Sequence, residues 1–94
     1  MYITDMFEVF YNKRVEKMVE KLPEIEATRF QNLYKELEEK GPVRANWPNY
    51  GKLKGTNTHH CHLSHKWAAC WVETKKGIKI EVTYAGSREN APYA

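Results

Sequence analysis

Two apolar stripes of helical spacing lie side by side in the first half of this chain, with a single proline between them. Val15, Met18, Val19 and Leu22 fall at i, i+3, i+4 and i+7, and Phe30, Leu33, Tyr34 and Leu37 repeat the pattern. Asn12 stands where it can cap the first helix. Pro23 ends that helix or sits in the first turn of the next, and Lys40 followed by Gly41-Pro42 supplies the stop of the second. Two helices joined this closely form a hairpin, and both stripes must be buried on something else. The remaining residues say that this is a sheet.

Phe7-Glu-Val-Phe-Tyr11 is short, aromatic and β-branched, which predicts a strand ahead of the hairpin. Residues 42–56 hold Pro42, Pro48, Gly51 and Gly55 and read as an ordered surface connection, anchored to the core edge by Trp47 and Tyr50. Three strands follow: Asn57 to Leu63, Lys66 to Val72, and Ile78 to Tyr84. Their connections, Ser64-His65 and Glu73 to Gly77, are short enough for an antiparallel meander. Period-two reading sends Ile78, Ile80, Val82 and Tyr84 towards the helices and Lys79, Glu81 and Thr83 away from them. Cys61 and Leu63 go with the core, which leaves His60 and His62 on the open face. The middle strand offers two apolar registers, and we place Trp67, Ala69 and Trp71 on the helix side. The expected fold is therefore α+β: a helical hairpin packed on one face of an antiparallel sheet of three to four strands.

Ninety-four residues suffice for one domain spanning 1–94 with a single modest core. No apolar run approaches the ~20 residues needed to cross a bilayer, and the N-terminus lacks the basic start and apolar centre of a signal peptide. Two cysteines make no disulfide framework, so a cytoplasmic protein with reduced thiols is expected. A tight turn at Ser64-His65 would nonetheless bring Cys61 and Cys70 nearly opposite one another, within reach of a cross-strand disulfide. The formal charge of +3 conceals a division: residues 1–41 carry 7 Lys and Arg against 9 Asp and Glu, a net of −2. Residues 42–94 carry 8 against 3, a net of +5, together with all four histidines. A basic half of this kind suits a nucleic-acid partner.

The chemistry gathers in that half. His60 and His62, at i and i+2, share one face of a strand, while Arg88 and Tyr93 follow the glycine break after the last strand. A strand histidine taken singly is more often just a polar residue that keeps a sheet face wet. Two histidines, an arginine and a tyrosine converging on one face can do more. Cleavage of RNA by its own 2′-OH needs a base for that hydroxyl, an acid for the leaving oxygen, and cations for the phosphorane charge. His60, His62, Arg88 and Tyr93 could fill those roles, with Lys52, Lys54 and Lys66 holding the flanking backbone. The two histidines also form a chelating pair. A zinc site needs three or four ligands, however; Cys61 points to the other face, and no Cys-x-x-Cys or His-x-x-x-His accompanies them. No metal or other cofactor is expected.

The order of two helices then a meander, with Trp47-Pro-Asn, Gly51-Lys-Leu-Lys, His60-Cys-His-Leu63, Trp71 and Gly86-Ser-Arg-Glu-Asn-Ala-Pro-Tyr93, resembles the RelE/ParE superfamily of bacterial and archaeal toxins. More narrowly, it is similar to the RelE-like branch, the cytotoxic translational repressors of type II toxin–antitoxin systems. The resemblance covers nearly the whole chain and is most specific in the His-Cys-His-Leu strand and the Gly-Ser-Arg…Ala-Pro-Tyr tail.

It implies a toxin that enters the ribosomal A site, against rRNA, and cuts the mRNA presented there. A cognate antitoxin that wraps the toxin and blocks its active face is implied as well. In RelE itself the work is done by two strand lysines, a mid-sheet arginine, and a C-terminal arginine and tyrosine. Arg88 and Tyr93 match the tail positions, His60 and His62 stand where the lysines would, and Ala68 stands near the missing arginine. The ParE branch, which poisons gyrase without cutting RNA, shares the fold. A non-enzymatic inhibitor of a protein target and a plain RNA-binding module are therefore the rival readings.

Overall fold

A computed structural model of the chain describes residues 7–74 and 79–93. Ile78 and residues 75–77 of the last connection, for which the sequence made expectations, lie outside the described residues. The elements run β1 (Glu8–Phe10), α1 (Lys13–Glu20), α2 (Glu24–Lys40), β2 (Gly51–Lys52), β3 (Thr58–Ser64), β4 (Trp67–Glu73) and β5 (Lys79–Ser87), followed by a 3₁₀ turn at Arg88–Asn90. No helix among the described residues is long and apolar enough to cross a membrane.

Both helices form where the stripes place them. Asn12 caps α1, its Oδ1 accepting from the Val15 amide at 3.0 Å. Pro23 occupies the N-cap position of α2 in extended conformation, so it belongs to the second helix without entering it. Gly41 ends α2 with φ +94°, and a Cβ there would lie 2.8 Å from the ring of Phe7. Only glycine fits both the backbone and the space. Val15, Leu22, Phe30, Leu33 and Leu37 are buried against Cys61, Leu63, Ala69, Trp71, Ile80 and Val82 of the sheet. Trp67 packs beside them, so the tryptophan register expected for β4 is the observed one.

The sheet differs from expectation in extent and in one face. Its order is β1-β5-β4-β3-β2, five strands rather than three to four. β1 pairs with β5 in parallel while the other pairings are antiparallel, so the sheet is mixed. A helical hairpin between β1 and the meander is long enough to carry the chain back for that parallel pairing. β5 runs through Gly86 to Ser87, and Gly86 pairs with Ala68 instead of breaking the strand.

Within β5, Trp71 pairs with Val82 but Cys70 pairs with Tyr84, which leaves Thr83 as an extra residue. This bulge reverses the alternation beyond it. Tyr84 is consequently turned from the helix side to the face of Cys70, where it packs with Ala91 and Tyr93, and Ala85 takes its place in the main core. The face opposite the helices is thus partly roofed by the chain's own tail.

The connection over 42–56 is held by one carboxylate. Glu36 Oε1 accepts from Arg44 Nη1, Asn46 Nδ2 and Trp47 Nε1, each at 3.0 Å. Burial pushes its pKa up, but those hydrogen bonds outweigh burial and the net shift is downward. Trp71 Nε1 donates to the Pro42 carbonyl at 2.9 Å, and Tyr50 stacks on Trp71, so the expected aromatic anchoring is observed.

Candidate RNA-cleavage site

His60 and His62 pair with Cys70 and Ala68 respectively, which puts them on the face opposite Cys61 and the helices. Ala68 is fully buried between the strands on that face. His60 is not freely solvated. Tyr93 folds back from the tail and stacks on it, with ring centroids 4.3 Å apart and planes at 23°. A Cβ at Gly51 would come 3.1 Å from His60 Nε2, so the glycine makes room for the ring from the edge strand. His60 Nδ1 and the Tyr93 hydroxyl are both buried without a hydrogen-bond partner among the described residues. Two such polar atoms on stacked neighbours are costly to folding unless a further group meets them.

Arg88 comes in from the other end of β3. The 3₁₀ turn sets its guanidinium against the β3–β4 turn, where Nη1 donates to the His65 carbonyl at 2.6 Å and its amide donates to the Lys66 carbonyl at 2.8 Å. Its charge reaches the centre of the face. The His62 pKa is lowered by burial first, then by Arg88, His60 and His65. The His60 pKa is lowered by burial and by His59. Both imidazoles are therefore neutral at pH 7 and able to accept a proton. Tyr93 shifts the other way: burial and Cys70 raise its pKa against a smaller lowering from Arg88, so its phenol keeps its proton. Proton acceptors, a proton donor and a fixed cation share one face.

The lysines divide. Lys66 sits in the turn beside Arg88, and both line a cleft of about 560 Å³. Lys54 lies in the loop after β2, at the far end of β3. Lys52 pairs with His59 and so belongs to the helix-side face, apart from His60. Strand alternation thus puts Lys52 at the sheet edge, on the face opposite His60. Cations bracket β3 at both ends, with the two histidines between them.

His59, left without a role in the sequence, has a structural one. It is buried on the helix side, parallel to Trp71 at 5.8 Å, with Nδ1 against the Tyr50 hydroxyl and Nε2 against Glu73 Oε2, both at 2.7 Å. Its parity with Cys61 was the available signal. His65 is exposed in the turn and offers its carbonyl, not its ring, to Arg88. Among the described residues no three His, Cys, Asp or Glu side chains are grouped as metal ligands.

Solved structures place this architecture. The archaeal RelE-RelB complex from Pyrococcus horikoshii OT3 matches with TM-score 0.74 at 22% identity, over 92% of this chain and 99% of that one. The fold is that of the RelE toxins. The isolated Escherichia coli RelE toxin matches at TM-score 0.71 and 17% identity, over 93% of this chain and 89% of its own. The YoeB-YefM complex from Staphylococcus aureus matches at 0.67 and 10% identity, over 85% and 94%. No family model and no curated protein sequence matches the chain. The likeness is thus one of shape, with TM-scores of 0.67–0.74 at identities of 10–22%. In this RelE-like frame the tail follows β5 directly onto the face that holds His60 and His62.

Proposed function

We propose that this protein is the toxin of a type II toxin–antitoxin pair, a metal-independent endoribonuclease that cuts mRNA in the ribosomal A site. The observation that carries the reading is the gathering of His60, His62, Arg88 and Tyr93 about one sheet face, where burial lowers the pKa of both imidazoles and raises that of the phenol. In the reaction a histidine takes the proton of the 2′-OH, the 2′ oxygen bonds to the adjacent phosphorus, and the bond from phosphorus to the 5′ oxygen breaks. Tyr93 supplies the proton that the leaving oxygen needs. The products are a 2′,3′-cyclic phosphate and a 5′-hydroxyl. Arg88 stabilises the phosphorane, since a guanidinium is always charged and can grip two oxygens at once.

The RelE-RelB and YoeB-YefM assemblies support a cognate antitoxin as partner, and a cytoplasmic location follows from a ribosomal substrate. Lys66 at one end of β3 and Lys54 at the other would hold flanking RNA, either message or rRNA. Lys52 remains available to the same backbone from the sheet edge. Expression of the chain should stop growth, and His60→Ala with His62→Ala should restore it without loss of fold. Undiminished toxicity of that double variant would remove the histidines from the mechanism. Toxicity without RNA cleavage would favour an inhibitor of a protein target.

A further inference from the structure

At the turn end of the sheet a cleft continues from Arg88 and Lys66 past the residues assigned to the reaction. It holds about 560 Å³, within the range of small-ligand sites, and is lined by His65, Lys66, Trp67, Ser87, Arg88 and Glu89. Trp67 is half-buried, packed on the main core, and also lines this cleft. Lys66 and Arg88 supply positive charge on the same cleft. Glu89 is exposed and makes no ion pair among the described residues, which is an odd companion for two cations if the cleft merely collects phosphates.

We propose that this cleft binds the RNA nucleotide next to the cleaved phosphate, with its base stacked on Trp67 and an amino group of that base donating to Glu89. The proposal rests on the endoribonuclease reading and names a substrate subsite for it. Single-stranded RNA is recognised by stacking of a splayed base on an aromatic ring and by hydrogen bonds to its Watson–Crick edge. An indole supplies the first and a carboxylate the second. Glu89 repels phosphate, so the anionic part of the nucleotide lies towards Lys66 and Arg88, and the base towards Glu89. Arg88 belongs both to this cleft and to the face of His62, so a phosphate on its guanidinium sits between the bound base and the proton acceptors. A carboxylate accepts from the amino groups of cytosine, adenine and guanine. Uracil presents carbonyl oxygens at the equivalent positions and is disfavoured. The subsite therefore selects amino-bearing bases over uracil.

The test uses the full chain and short RNA strands methylated at every 2′ oxygen, which bind but cannot be cut. One strand is centred on cytidine and the other on uridine. Wild type should bind the cytidine strand more tightly, with quenching of tryptophan fluorescence. Trp67→Leu should lose the quenching and weaken both strands by about tenfold or more. Glu89→Gln should abolish the preference between strands while leaving uridine binding unweakened. Equal binding of both strands by wild type, or no saturable binding of either at millimolar strand, would overturn the proposal. So would a preference that Glu89→Gln leaves intact, and that variant decides alone if Trp67→Leu does not fold. Because the strands are uncleavable, the two readings fail separately. Cutting of mRNA with indifference to Glu89 sinks the subsite only, whereas base preference without any cutting sinks the nuclease only.

Discussion

Replacing Tyr93 with phenylalanine should separate what this residue does for stability from what it does for chemistry. Its hydroxyl is buried with no hydrogen-bond partner among the described residues, beside a His60 Nδ1 in the same condition, while its ring stacks on the imidazole at 4.3 Å. An unsatisfied buried polar group costs roughly 1–3 kcal/mol, and Tyr93→Phe removes that group and keeps the stack. The variant should be as stable as wild type or up to about 2 kcal/mol more stable. For a domain of this size that is a gain of roughly 4–8 °C in melting temperature for each kcal/mol. Tyr93→Ala loses the stack as well and should fall by about 1 kcal/mol. Proton donation to a leaving oxygen contributes about 10²–10⁴-fold in rate, so both variants should cut mRNA at least a hundredfold more slowly. Paired thermal melts and single-turnover cleavage on programmed ribosomes measure the two effects. A Tyr93→Phe protein that melts well below wild type, or that cuts at the wild-type rate, would refute the assignment of the hydroxyl as an orphaned, catalytic donor.

The histidines impose a pH dependence of definite sign. Their folded pKa values lie below the ordinary 6.5, so the unfolded chain takes up protons first as pH falls. Stability should decline below about pH 6.5 in chemical denaturation, and less so in the His60→Asn, His62→Asn double variant. The cleavage rate should likewise show its acid limb below pH 6.5 and a plateau through neutrality. Glu36→Ala strands three donors at once and should cost about 2 kcal/mol by urea titration, with Glu36→Gln recovering part of it. Cys61 and Cys70 should titrate as two free thiols only after denaturation. Both are fully buried, and burial pushes the Cys70 pKa up to about 12.

The helices and the meander were legible because each carries its periodicity in long side chains. Val15 to Leu22 and Phe30 to Leu37 can face only one way, and His60-Cys61-His62-Leu63 alternates cleanly. What escaped was set by single backbone events that leave no periodic trace. Thr83 is an ordinary strand residue, yet the bulge there carries Tyr84 to the opposite face. The cysteines are free, as expected: Cys61 pairs with Ala69 and Cys70 with His60, so the two thiols project from opposite faces and cannot form a disulfide. β2 is two residues long, too short for any pattern, and its register is what turns Lys52 from the histidines. The four candidate catalytic residues were found by chemical type. That Tyr93 covers His60 depends on the tail folding back over the sheet, a tertiary contact with no local signature.

Cleavage of mRNA on translating ribosomes by wild type, Arg88→Ala and Arg88→Lys tests the function most directly. Among the described residues Arg88 makes one side-chain hydrogen bond, to the His65 carbonyl, so its loss should lower stability by only about 1 kcal/mol. Removing a charged donor aimed at the phosphorane should cost on the order of 3 kcal/mol in the transition state, a hundredfold or more in rate. Wild type should leave 2′,3′-cyclic phosphate ends with magnesium retained and zinc chelated. Arg88→Ala should be inactive while still folded, and Arg88→Lys should regain part of the rate. Cutting by Arg88→Ala at near wild-type speed, or no cutting by wild type at all, would contradict the endoribonuclease reading.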